Sequence, residues 1–269
     1  MSPKSKELRA MRLSIDVRLD YGINGDADVL LQIEAAAMAD QRIVEESLTI
    51  WSESPIRAVR GEDGIGQRCW ARGHGRLVAE YKAIVDVARE KVELARYRPT
   101  PPRMLPGELT AYLMPSRYCQ SDRFDGFVTR KFGGLQGGPL AAALSAWVGE
   151  SLDYRMGTSS GETTALDTFA SRSGVCRDYA HLLVALARAG GIPARCVSAY
   201  APGVDPPDFH AVAELWLDGD WRLVDATGMA SCGDVARVCI GRDATDIAFM
   251  TVFGQATLYE QVVRVVGIG

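Results

Sequence analysis

Between residues 11 and 20 the chain alternates strictly. Leu13, Ile15, Val17 and Leu19 fall on one side, and Arg12, Ser14, Asp16, Arg18 and Asp20 on the other. A period of two is the mark of a half-buried strand. The same alternation returns in Val29, Leu31, Ile33 and Ala35, and in Leu77, Ala79, Tyr81, Ala83 and Val85. Turn-forming stretches at residues 22–26, 61–66 and 73–75 separate these runs. Strands at this spacing predict an antiparallel β-sandwich over residues 11–98, behind a flexible tail at 1–10. The cluster Arg98-Pro99-Thr100-Pro101-Pro102, followed by Pro106-Gly107, can continue neither a helix nor a central strand. It predicts a linker over 99–107. From 108 to 269 the pattern changes: 140–152, 165–171 and 176–189 read as helices, and 194–200, 209–217 and 221–225 as strands. The fold class expected is α+β, an N-terminal β-sandwich followed by a mixed second domain.

With 269 residues, 47% of them hydrophobic, the chain can bury a substantial core. A net charge of −4 argues against a nucleic-acid partner. No run of 18 apolar residues exists, so no membrane span is expected. The start, Met1-Ser2-Pro3-Lys4-Ser5-Lys6, is basic but leads into no apolar signal stretch, which predicts a cytoplasmic location. Oligomeric state is open. The six cysteines are Cys69, Cys119, Cys176, Cys196, Cys232 and Cys239. An even count in a chain this long, without a secretion signal, does not make a disulfide framework. The nearest pair, Cys232 and Cys239, has poor metal-ligand spacing, so neither metal nor cofactor is expected.

One cysteine is placed differently from the rest. Ser173 reads as an N-cap, with residues 174–176 as the first helical turn and Tyr179, Leu182, Leu183 and Leu186 as an apolar face. Gly190-Gly191 and Pro193 end the helix. Cys176 then lies where unpaired N–H groups and the helix dipole favour the reactive thiolate, and where its backbone N–H can hold an oxyanion. The plainer alternative is a small core residue. Cys196 alternates within a strand and reads as packing.

Three histidines limit the choice of base. His74 sits between glycines and reads as a solvated turn residue. His181 follows Cys176 on the same helix, and five steps of about 100° turn it roughly 140° away, so it takes a supporting role. His210 opens a strand whose one face carries His210, Val212, Glu214 and Trp216. Asp218-Gly219 is a preferred two-residue hairpin turn. With that turn Leu217 pairs with Asp220 and Val212 with Asp225. Asp225 then lies one diagonal step from His210 on the same face, about 7–8 Å away at the backbone. Asp225 is the favoured orienting carboxylate and Glu214 its rival. A turn-capping role for Asp225 is the plainer alternative. Thiol, imidazole and carboxylate in this order are the parts of a cysteine-nucleophile site.

The run Gly174-Val175-Cys176-Arg177-Asp178-Tyr179-Ala180-His181-Leu182-Leu183 resembles the transglutaminase-like superfamily. So do Arg188-Ala189-Gly190-Gly191-Ile192-Pro193-Ala194-Arg195, His210-Ala211 and Val224-Asp225-Ala226-Thr227. The chain as a whole is similar to bacterial transglutaminase-like cysteine peptidases with a β-rich N-terminal region. Residues 114–118 and 241–246 share that likeness. The resemblance implies a papain-like catalytic set carried by Cys176, His210 and Asp225, with Asp178, Glu214, His181 and Tyr118 as supporting positions. It implies a cysteine protease, amidase or acyltransferase that acts on peptide or protein amides through a thioester, with hydrolysis favoured over amine transfer. A catalytically silent peptide-binding or assembly module is the alternative. The family's usual Asp-Pro-Thr is Asp225-Ala226-Thr227 here. No Asp-x-Asp-x-Asp-Gly calcium loop is present. Tyr118, Gln120 and Trp147 are the side chains considered for a second oxyanion donor, each with a structural alternative.

Overall fold

In the computed structural model residues 11–52 and 54–268 are described, so the tail expected at 1–10 lies outside the described residues. The chain opens with β1 (Met11–Leu31), β2 (Gln41–Trp51), β3 (Arg57–Arg60) and β4 (Gln67–Val87). After a stretch of short turns come α1 (Asp125–Phe132), α2 (Gly137–Ser151), β5 (Asp153–Tyr154), α3 (Ala165–Ser171), β6 (Ser173–Gly174) and α4 (Cys176–Ala189). The last part holds β7 (Ala194–Tyr200), β8 (His210–Leu217), β9 (Asp220–Val224), β10 (Ala236–Gly241), α5 (Ala244–Ile247) and β11 (Met250–Gly267).

The N-terminal strands make a single antiparallel sheet of order β11-β1-β4-β2, with β3 also on β4, where a two-sheet sandwich was expected. Two features of the sequence hid this. The glycine-rich stretch at 22–26 is a bulge inside one long strand, and β1 keeps pairing β4 on both sides of it. Gly73-His74-Gly75 likewise lies within β4 and makes no turn. Among the described residues no second sheet covers the polar side of the alternation. It carries cross-strand ion pairs, with Arg12 and Arg42 on Asp86, and Arg18 on Glu80 and Glu260. Such rows satisfy a solvated face.

The fourth strand of this sheet comes from the far end of the chain. Residues 250–267, assigned by sequence to the second domain, pair along β1 from Leu31↔Met250 to Leu13↔Gly267. Contiguous domains at 11–98 and 108–269 therefore give way to an interleaved arrangement. The apolar face of the sheet shares one continuous core with α4 and the helices around it. Tyr81 and Tyr200 stack across the junction, and the Tyr200 hydroxyl donates to the Ile33 carbonyl at 2.6 Å.

The second sheet has the order β10-β7-β8-β9 and packs on α4. Every residue of α4 from Asp178 to Arg188 is buried, so this helix is central rather than amphipathic at a surface. Its polar residues all find partners inside. Arg188 donates to the carbonyls of Ala194, Met114 and Arg242 and to Ser116 Oγ. One buried guanidinium thus ties together residues 114–116 and 242, two stretches that sequence likeness alone had singled out.

Candidate active site

The helix that carries the cysteine begins two residues later than the Ser173 cap suggested. Val175, not Ser173, is the N-cap, and Cys176 is the first helical residue. Ser173 and Gly174 instead form β6, paired in parallel with Asp153 and Tyr154 of β5. Asp178 reaches back to accept the Val175 N–H at 2.8 Å, which fixes the entry into the helix. It also accepts from Ser159 Oγ at 3.0 Å. Asp178 therefore shapes the turn that presents Cys176. The cysteine is half-buried at the dipole's positive end, with its sulfur 3.9 Å from the Phe209 carbonyl.

The hairpin of β8 and β9 supplies the other two residues. Asp218 and Gly219 both have positive φ, 54° and 80°, as a tight two-residue turn requires. The resulting register puts Leu217 opposite Asp220 and Ala213 opposite Val224. His210 Nε2 and Asp225 Oδ2 are 2.9 Å apart, and both side chains are almost fully buried. Asp225 is also held by Thr227 N–H at 2.9 Å, Thr227 Oγ1 at 2.7 Å and Ala230 N–H at 2.9 Å. Four donors on one carboxylate fix its position, so orienting the imidazole and capping the turn are two parts of one arrangement.

Electrostatics favour a charged imidazole. Burial pushes His210 down, but its hydrogen bonds and charge interactions with Asp225 and Cys176 outweigh that and raise it to about 9. Burial pushes the Asp225 carboxyl up, and the hydrogen bond and charge of His210 bring it below its ordinary value. The second ring nitrogen, Nδ1, is buried and has no conventional hydrogen-bond partner. That leaves it free to exchange a proton with the neighbouring thiol.

The remaining candidates are engaged elsewhere. Glu214 faces two buried arginines, with Arg195 Nη2 and Arg237 Nη1 each at 2.6 Å, and makes no contact with His210. His181 stacks on the Tyr118 ring, with centroids 5.2 Å apart, and its Nε2 accepts the Ala244 N–H at 3.1 Å. The Tyr118 hydroxyl donates to the Gly161 carbonyl at 2.6 Å, and Gln120 Nε2 to the Arg117 carbonyl at 2.7 Å. Trp147 packs among Phe127, Phe169 and Arg172. The Tyr118 hydroxyl and one Gln120 N–H are thus committed to backbone carbonyls. His74 is paired with Asp26 on the solvated N-terminal sheet.

Two residues near Cys176 escaped the sequence reading. The β5–β6 pairing sets Tyr154 beside Gly174, two residues before Cys176. Burial, then the charge of Cys176, pushes the hydroxyl up to about 12, so it stays a proton donor. Asp208 stands just before His210 and is tethered to β11. No motif marks Tyr154, which the β5–β6 pairing brings in, whereas Asp208 lies two residues from His210 and takes only its Gln261 tether from a distant segment.

Cys119, His181 and Cys196 also meet, their ligand atoms all within 4.8 Å of one another. The Ala244 N–H occupies Nε2 of His181, which places the ring proton on Nδ1. Neither nitrogen then offers a metal a free lone pair, and the group fits buried packing better than coordination. Burial holds His181 down at about 3, consistent with a neutral ring.

A model of the transglutaminase-like superfamily matches residues 133–226, a span that contains Cys176, His210 and Asp225. A crystal structure of a Cytophaga hutchinsonii protein, provisionally named a cysteine protease, superposes with a TM-score of 0.92 at 30% identity. That likeness covers 97% of this chain and 92% of the other. An uncharacterised Mycobacterium leprae protein is 33% identical over 114 residues, 39% of this chain and 41% of that protein's length. The fold and the nucleophile motif define a cysteine-based enzyme class. The chain belongs to the transglutaminase-like superfamily.

Proposed function

We propose that this protein hydrolyses amide bonds of peptides or proteins through a thioester on Cys176. His210 takes the thiol proton, and the sulfur attacks the amide carbonyl carbon. The carbonyl oxygen becomes an oxyanion, met by the Cys176 backbone N–H and the Tyr154 hydroxyl. The tetrahedral centre collapses, the C–N bond breaks, and the proton held by His210 leaves with the amine. Water then adds to the thioester with His210 as base, which releases the acid and restores the thiol. Asp225 keeps the imidazole in line throughout.

The observation that carries this reading is the 2.9 Å His210–Asp225 contact at the mouth of the Cys176 helix. The protease name given to the Cytophaga hutchinsonii relative supports hydrolysis over amine transfer. The test is an amide-release screen over peptide libraries, with Cys176→Ala as control. Free-acid product that vanishes in the variant is the expected result. Amine incorporation without free acid would replace hydrolysis by transfer. No turnover, with all six cysteines alkylated at similar rates, would leave a silent binding module.

A further inference from the structure

Asp208 precedes the strand that carries His210 and is held by hydrogen bonds alone. Its Oδ1 accepts the Phe209 N–H at 2.7 Å and Gln261 Nε2–H at 2.6 Å. Gln261 comes from β11, so the N-terminal sheet reaches the site through this contact. The other carboxylate oxygen has no hydrogen-bond partner among the described residues. It is not among the protein's sealed, unpartnered polar atoms either, so it is open to an incoming group.

No Lys, Arg or His pairs with Asp208 among the described residues, although other acids do find cations. Arg76 holds Asp20, Arg12 and Arg42 hold Asp86, and Arg89 holds Asp40. A half-buried carboxylate without a counter-ion is costly, and burial accordingly pushes Asp208 up. The carbonyl of the next residue, Phe209, lies 3.9 Å from the Cys176 sulfur, so Asp208 is one residue along the chain from a group beside the nucleophile. Its charge also acts on Tyr154, whose strand pairs beside Gly174, and on Tyr21 of β1.

We infer that Asp208 is a specificity residue that receives a cationic group of the substrate, a protonated primary amine, while the amide carbonyl sits at Cys176. The inference rests on Cys176 being the nucleophile that meets substrate. Two sources share this chemistry, a lysine side chain and a free α-amino group. The carboxylate is pre-oriented by Phe209 and Gln261, so the cation meets a fixed acceptor. The N-terminal sheet thereby gains a role, holding that acceptor through Gln261.

The decisive experiment needs no turnover. Cys176 in the full chain is modified with methanethiosulfonates carrying a trimethylammonium, a sulfonate or a methyl group, and the rate at Cys176 is read by peptide mapping. The wild type should favour the cationic reagent over the anionic one. Asp208→Asn, which keeps the one oxygen that accepts both tethers, should lower that ratio by about tenfold and leave the neutral reagent's rate within twofold. An unchanged ratio would overturn the inference, whether or not the protein cleaves amides. A moved ratio without any amide release would keep Asp208 as a cation site and sink hydrolysis instead. Where cleavage is seen, peptides with lysine against norleucine, and with free against acetylated N-termini, identify which amine is received. Equal kcat/KM across both pairs would also overturn the inference.

Discussion

Replacing Asp225 by asparagine tests the heart of the site. The rise of His210 from 6.5 to about 9 corresponds to about 3 kcal/mol in favour of the imidazolium. Burial works against that rise, so the partners together supply more than the net figure, with Asp225 the first of them. Removing the carboxylate charge at 2.9 Å should lower the His210 midpoint by at least about one pH unit, a tenfold change in the protonation equilibrium. The assay is a long-range proton–nitrogen NMR titration, for which three histidines make assignment simple. His74→Asn removes the exposed ring from the spectrum. The sign for stability follows from the same shift. A folded-state value above the unfolded one gives a contribution that is complete below about pH 6.5 and lost as pH rises through about 9. The variant should weaken that pH dependence and shift its upper limb to lower pH. Asparagine has one acceptor oxygen where Asp225 takes four donors, so some donors are orphaned at about 1–3 kcal/mol each. Near-ultraviolet circular dichroism must therefore show the fold retained. A wild-type His210 midpoint near 6.5, or one near 9 that does not move in Asp225→Asn, would refute the reasoning.

Tyr154→Phe should lower kcat by about 10²- to 10³-fold with KM little changed, since it removes a donor used mainly in the transition state; a change confined to KM would argue against that role. In mild iodoacetamide labelling with peptide mapping, Cys176 should react first. Burial pushes Cys69 and Cys239 up to about 12, and Cys119 and Cys196 are fully buried. Glu214→Gln should cost about 1.5–3 kcal/mol by weakening the hold on Arg195 and Arg237, which keep Asp63 and Asp40, seen in denaturant unfolding, yet leave the His210 titration where it was; a shifted titration would restore Glu214 as the orienting acid. Gly66 has φ of +72°, and a Cβ there would meet the Val238 carbonyl oxygen at 2.2 Å. Gly66→Ala should lower Tm by at least about 4 °C, from a left-handed backbone cost of about 1–2 kcal/mol plus the clash.

Local pattern was enough for everything whose cause is local. The helix over 176–189 and the strand over 194–200 were legible because apolar period, Gly190-Gly191 and Pro193 act within a few residues. The Asp218-Gly219 turn fixed the hairpin register, and through it the approach of Asp225 to His210, because a two-residue turn leaves one pairing for the strands it joins. Rival carboxylates could not be separated that way. Glu214 and Asp225 share a face, and the choice fell to Arg195 and Arg237, which arrive from other strands and claim Glu214. The single N-terminal sheet was hidden for the same reason, since alternation shows that one face is polar but not whether water or a second sheet meets it. Tyr154 was invisible because the β5–β6 pairing brings it in, and the loop 201–208 was legible as a neighbour of His210 but not the Gln261 tether on Asp208, which comes from a distant strand. What the sequence alone determined was the placement of Cys176 at its helix start and of His210 and Asp225 on one hairpin, held by short-range backbone geometry. Only the tertiary structure decided what surrounds them, because a contact between distant segments depends on which faces the whole core leaves free to meet.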